Sequence, residues 1–282
     1  MLKAVKVTFI LLAVGLFSSL IGYRVLLIQK SAQVNMPFDP LGETGAALPS
    51  NDLLIYDDDF TDGRIGDGWT LFNESLFEVA EANGRLHIIP QQKVTWYKAK
   101  NGPFIYTLIE GDFTLTARVL TRQTDQPEQF PNDQDRRYEY AGIMMRNPAS
   151  DSSGLENYLF AVVGFHRRNL AVETKSTTND VSEMVQDKAW QSGDAELRIC
   201  RVGQDFYLFK RHLGDSEWTL QQSFERPDIG ETVQAGLISY AQNESPDLDA
   251  AFEYVSFQRI SHPADCIADV PYADKPQSSI AN

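Results

Sequence analysis

The stretch Tyr138–Pro148, YEYAGIMMRNP, carries groups able to do chemistry on one side of an alternating pattern. As a strand it places Ala141, Ile143 and Met145 on one face and Tyr140, Gly142, Met144 and Arg146 on the other. A tyrosine ring beside an arginine suits sugar recognition. The ring packs on the pyranose C–H face, and the guanidinium fork donates to hydroxyls or to a uronate. The same alternation turns Arg118, Glu173, Lys175, Arg198 and Tyr240 outward, while of the adjacent Trp96 and Tyr97 only one can face out. The candidate ligand-binding set is therefore Tyr140, Arg146, Arg118, Lys175, Trp96 and Tyr240. The competing reading is that these side chains form solvated ion pairs over a polar sheet face.

Catalytic groups are harder to assemble. The four histidines (His87, His166, His212 and His262) show no metal-ligand spacing. His166 precedes Arg167 and Arg168 in a turn, where it could serve as a base together with Tyr140 or Tyr158. No G-x-S-x-G elbow and no phosphate-binding loop occurs. Two cysteines, Cys200 and Cys266, are either one disulfide tying the end of the chain to its body or two free thiols.

The elements that must position these groups are strands. FTLTARVL, NYLFAVVGF, LAVETKS, AELRICRV, DFYLFKRH, WTLQQSF, VQAGLISYA and AFEYVSFQRI are each of strand length. Turn residues such as RRN, VGQD, LGDSE and AQNESPD separate them. With GRLHIIP, VTWYKA and FIYTLIEG upstream, the count is about a dozen strands with no long segment of helical period. Many short strands in one domain predict an all-β antiparallel sandwich or barrel over 53–260. The 17-residue connection Thr121–Arg137 is longer than most, and Arg136 and Arg137 at its end could line a binding rim. Residues 31–52 read as a linker and 261–282 as a loosely ordered tail.

Residues 1–30 differ in kind. Lys3 and Lys6 precede 17 uncharged, mostly apolar residues from Val7 to Tyr23, followed by Arg24. This is a hydrophobic helix acting as a signal anchor or as a cleaved signal peptide, and either exports the remainder. Without a small-x-small site before Ala32, the anchor reading is preferred, which makes the membrane a partner through this segment. Beyond it, 21 Lys and Arg face 39 Asp and Glu, a net charge of −18. Such an acidic domain is repelled by nucleic acid, whose binding rests on neutralising phosphates.

The order of the pieces is familiar. DDDFTDGRIGDGWTLF opens the domain, followed by GRLHIIPQQKVTWYKAKNGPF, EGDFTLTARVL and YEYAGIMMRN. ELRICRVGQDFYLFKRHLGDSEW, VQAGLISYA and AAFEYVSFQRI close it. Over residues 55–260 this resembles the concanavalin A-like lectin/glucanase superfamily, and within it exported jelly-roll domains related to laminin G-like modules and to the C-terminal domains of β-xylosidases. The resemblance implies two curved sheets face to face, a concave sheet that binds sugars, and a structural Ca²⁺ near the first and last strands. The acidic start Asp57, Asp58 and Asp59, with Asp249 near the last strand (and Asp247 beside it), would supply its oxygen ligands if those strands pair. Glucanases of this fold carry E-x-D-x-x-E on one strand, which is missing here. The expectation is an exported, membrane-tethered, lectin-like carbohydrate-binding module without evident catalytic machinery. A glycoside hydrolase or polysaccharide lyase is the alternative, and a cell-surface protein-interaction module the second.

Overall fold

Alternation of apolar and polar residues forms fourteen strands among the described residues. In the computed structural model, residues 48–131 and 138–269 are described, all within the compact unit Met36–Asn282. The strands are β1 (Thr70–Phe72), β2 (Phe77–Ala82), β3 (Arg85–Pro90), β4 (Phe104–Glu110), β5 (Phe113–Gln123), β6 (Tyr138–Arg146) and β7 (Tyr158–His166). There follow β8 (Asn169–Thr178), β9 (Val181–Asp187), β10 (Asp194–Val202), β11 (Asp205–Arg211), β12 (Thr219–Glu225), β13 (Thr232–Ala241) and β14 (Leu248–Arg259). Two antiparallel seven-stranded sheets result. The first has the order β1-β4-β13-β6-β7-β8-β9 and the second β12-β11-β10-β5-β14-β3-β2. The predicted N-terminal helix, the first part of the linker, the tail beyond Asp269, and Arg136 and Arg137 lie outside the described residues.

The two sheets bury one common core. β6 contributes Ala141, Ile143 and Met145, β7 contributes Leu159, Ala161 and Val163, and the second sheet answers with Leu115, Ala117, Leu197, Ile199, Phe252 and Phe257. Burial of such side chains is worth about 1.5–3 kcal/mol each and drives the stacking. In β14 a bulge between Phe252 and Tyr254 resets the alternation. It keeps Phe252, Val255 and Phe257 in the core and turns Tyr254 outward to meet Arg118.

The outer face of the first sheet carries a second apolar cluster. Phe104, Tyr140, Met144, Tyr158, Phe160, Val162, Ile238 and Tyr240 pack together beneath Val94 and Trp96. The latter two belong to a strap, residues 91–103, that joins β3 to β4 across this face. The Val94 amide donates to the Ala241 carbonyl (2.8 Å) and the Lys98 amide to the Ser182 hydroxyl (3.0 Å), so the strap is bonded to β13 and to β9. Glycine is required where strands approach most closely. A Cβ on Gly142 would lie 2.1 Å from the Ala161 carbonyl oxygen, and one on Gly236 would lie 2.0 Å from that of Ile105.

Candidate functional site

Between the tip of the strap and β8–β9 lies a cavity of about 320 Å³. Lys175 and Glu173 form its floor, both almost wholly removed from solvent, at 3% and 2% exposure. Tyr240 and Tyr138 close one side, and Tyr97, Thr95, Gln242 and Met184 form the rest of the lining. Strand order explains the convergence. Tyr240 pairs with Tyr140 across β13–β6, Phe160 with Lys175 across β7–β8, and Lys175 with Met184 across β8–β9. Outward side chains of neighbouring strands thus fall side by side.

The floor is a compact polar network. Lys175 Nζ lies 3.2 Å from Glu173 Oε1 and donates to the Trp96 carbonyl at 2.9 Å. Three aromatic rings surround the ammonium, Phe160 at 4.7 Å, Tyr97 at 5.5 Å and Tyr240 at 5.8 Å from their centroids. Burial lowers the Lys175 pKa, opposed by the Glu173 carboxylate. Glu173 also accepts from Gln186 Nε2 (2.6 Å) and from the Tyr240 hydroxyl (3.4 Å). The same Gln186 nitrogen is 2.6 Å from His166 Nδ1. An amide donating to both assigns Nδ1 as an acceptor, hence a neutral ring with its proton on Nε2. Burial lowers the His166 pKa in the same sense. Beside them, the hydroxyl of fully buried Tyr140 has no hydrogen-bond partner among the described residues. Its pKa is raised well above the usual value by burial, reinforced by the Glu173 and Tyr138 charges. A paired donor and acceptor on the floor with aromatic rings on the walls can grip vicinal hydroxyls while a ring stacks on a sugar's C–H face.

The sequence-derived candidates divide. Lys175 and Tyr240 line the cavity, and Tyr140 lies in the cluster beside it. Arg146 is on the same face but is 1% exposed. It is gripped by Glu156 (2.8 Å from both Nε and Nη2), by Asp151 (2.7 Å) and by Gln234 (2.6 Å), and lies over the Phe72 ring. It organises the strand end and lines neither this cavity nor the larger one along the strap. Trp96 is wholly buried, its indole N–H donating to the Pro103 carbonyl at 3.1 Å, so Tyr97 is the ring that faces the cavity. Arg118 belongs to the second sheet, where it binds Glu196 (2.8 Å) and Glu253 (3.2 Å) on the opposite outer face. Arg198 lies on that sheet too, donating to the Cys266 and Ala268 carbonyls at 2.9 and 3.0 Å. Four of the lining residues, Thr95, Tyr138, Met184 and Gln242, are not among those the sequence marks as outward-facing. Three of them follow from alternation, since Met184 stands opposite Lys175, Tyr138 precedes Tyr140 by two and Gln242 continues the outward series through Tyr240.

Each acidic residue of the expected calcium set has a partner within the protein. Asp57 accepts the Phe257 amide (2.6 Å), Asp58 that of Phe60 (2.8 Å), and Asp59 the Thr61 hydroxyl (2.6 Å). Asp249 is turned instead to His87, at 2.9 Å. Among the described residues no three His, Cys, Asp or Glu converge at metal-binding distance. Cys200 and Cys266 form a disulfide with Cα atoms 5.6 Å apart, which brings Pro263–Ile267 against the second sheet.

No protein-family model and no curated protein matches the chain. Its fold matches solved structures. A functionally unknown protein from Saccharomyces cerevisiae is 16% identical over 71% of this chain and 98% of that one, with a TM-score of 0.54. The GH43 BlXynB protein from Bacillus licheniformis is 15% identical over 72% of this chain and 39% of that one, with a TM-score of 0.53. The CBM2 module of the evolved Dit of Lactobacillus casei BL23 phage J-1 is 13% identical over 74% and 96%, with a TM-score of 0.50. At these identities the likeness establishes the fold, an all-β two-sheet sandwich, and nothing finer.

Proposed function

We propose that this protein is an exported carbohydrate-binding module of the concanavalin A-like type, tethered to the membrane by residues 1–30, that holds a sugar in the strap cavity. The observation that carries the reading is the buried Glu173–Lys175 pair on the floor of an aromatic-walled cavity of sugar size. Support for export comes from the hydrophobic N-terminal sequence and from the disulfide, which belongs to oxidising compartments. A CBM2 module and GH43 proteins among the structural neighbours agree with a glycan partner. A glycan array read with the full chain tests the proposal, and Lys175→Met, which strips the floor of its donor, should abolish any hit. Binding that survives both Lys175→Met and Tyr97→Ala places the site elsewhere.

A second reading rests on one observation, the unpartnered Tyr140 hydroxyl among His166, Glu173 and Tyr240. A neutral histidine and a buried phenol are the materials of proton transfer, as a lyase or hydrolase needs. Incubating array-positive glycans with the chain separates the two. New reducing ends or unsaturated products that vanish in Tyr140→Phe establish catalysis, and unchanged glycan establishes binding alone.

A further inference from the structure

We propose that the ligand is an oligosaccharide carrying an anionic substituent, and that a second cavity on the strap receives the charged residue. This inference rests on the reading of the first cavity as a sugar site. The second cavity, about 610 Å³, lies along the strap with apolar Leu76 and Val94 in its lining. It shares Thr95 and Gln242 with the first cavity, and Gln242 Nε2 donates to Thr95 Oγ1 at 2.8 Å. That hydrogen bond is the boundary between two adjoining spaces, so a chain of two or more sugar units reaches both. The polar character changes across the boundary. The first cavity has one ammonium and one carboxylate, Lys175 and Glu173, which offset each other. The second has two ammonium groups, Lys93 and Lys100, and no carboxylate in its lining. Lys93 pairs with Glu244, outside the lining, whereas Lys100 has no ion-pair partner among the described residues. On a domain whose sequence beyond the first thirty residues carries a net charge of −18, Lys100, offset by no carboxylate among the described residues, gives this cavity a local inversion of sign. An anionic sugar avoids the acidic surface and finds a counter-charge only where such an inversion exists.

The anion can be a carboxylate, as on a uronate, or a sulfate ester, and both are served by the same lysines. The test measures binding of the full chain to a neutral disaccharide (xylobiose), a uronate-bearing disaccharide (an aldobiouronic acid) and a sulfated disaccharide, by calorimetry at low and high salt. At least one acidic disaccharide should bind roughly five- to tenfold more tightly than xylobiose at low salt, the advantage shrinking as salt rises. Which one gains identifies the anion. Lys93→Gln combined with Lys100→Gln, both exposed and remote from the core, should remove that advantage, so that the acidic disaccharides bind no more tightly than xylobiose does to the same variant. Equal affinity for all three sugars, each abolished by Lys175→Met, would overturn the second subsite and leave the first intact. No binding of any sugar would remove both.

Discussion

At the scale of the residue, Arg146 and Lys175 show how similar cations on one sheet face take different roles. Arg146 is closed by four hydrogen bonds to Glu156, Asp151 and Gln234. Burial works against its charge, yet the Glu156 and Asp151 contacts hold its pKa above the usual value. Removing one partner of a buried pair leaves the other uncompensated, at a cost of about 3–5 kcal/mol. Arg146→Ala should therefore lose about that much in denaturant unfolding; a loss under about 1 kcal/mol would show that the network is slack. Lys175 keeps one side toward the cavity and so remains available to a ligand. Alternation identified both as outward-facing, but period two reports a face and not its cover. Arg146 is covered because Glu156 and Asp151, ten and five residues later, fold back onto it, which no local pattern announces.

At the scale of the element, the strap decides the site. Its turn is closed by reciprocal Tyr97–Lys100 backbone bonds, both 3.0 Å, and Trp96 anchors it against Phe72, Phe104 and Tyr158. Trp96→Ala should cost about 3–5 kcal/mol as a large-to-small core change. Because both cavities share strap residues, it should also weaken glycan binding, although Trp96 touches no ligand. Unchanged binding in a folded Trp96→Ala protein would show that the strap does not build the site. In sequence, VTWYKA reads as a strand, and the Trp96–Tyr97 choice stays open. Packing on the outer cluster settles it, since the larger apolar ring buries and the phenol takes the wet side. The C-terminal turn is the second element held by a staple. Cys200–Cys266 closes a separation of 66 residues, which in a chain-entropy view contributes about 2–4 kcal/mol. Cys200→Ser with Cys266→Ser should reduce stability by about that amount and make it insensitive to reductant. Asp269, which binds Arg211 and Trp218 nearby, should then exchange more freely.

At the scale of the whole molecule, charge sets the pH response. Burial, with like-charged neighbours adding to it, raises Asp58 to about 6 and Glu81 to about 7. Folded-state values above the unfolded ones mean stability that is full at acid pH and declines as pH rises through them. His87, raised chiefly by its hydrogen bond to Asp249, acts in the same direction above its unfolded value. Asp187 and Glu196 act oppositely. The Lys210 hydrogen bond lowers Asp187, and Arg118 and Arg211 lower Glu196 against the pull of burial. Their stability appears above the ordinary carboxylate range and is lost as pH falls. From these groups the melting temperature should peak at about pH 4–4.5, where Asp187 and Glu196 are already ionised and Asp58 and Glu81 still hold their protons, and fall as pH rises to about 7; Asp58→Asn should remove the part of that fall between about pH 4 and 6. A melting temperature still rising between about pH 5 and 7 would contradict this balance.

Sequence alone determined most of the strands, because side-chain period is a local property of the extended backbone; it did not mark β1, β2 or β9, and VTWYKA, read as a strand, lies in the strap. It divided β6 into two faces, Ala141, Ile143 and Met145 against Tyr140, Met144 and Arg146, without deciding which of them is buried between the sheets, and it gave the acidic composition. Only the tertiary structure decided which sheet each strand joined, and so parted Arg118 from Lys175 although both point outward. It also decided that Arg146 and Trp96 are spent on structure, that Asp249 turns to His87, and that Tyr97 and Gln242 meet over Lys175. These are contacts between residues five to more than a hundred positions apart, chosen by which faces bury together, and no spacing within one strand encodes them.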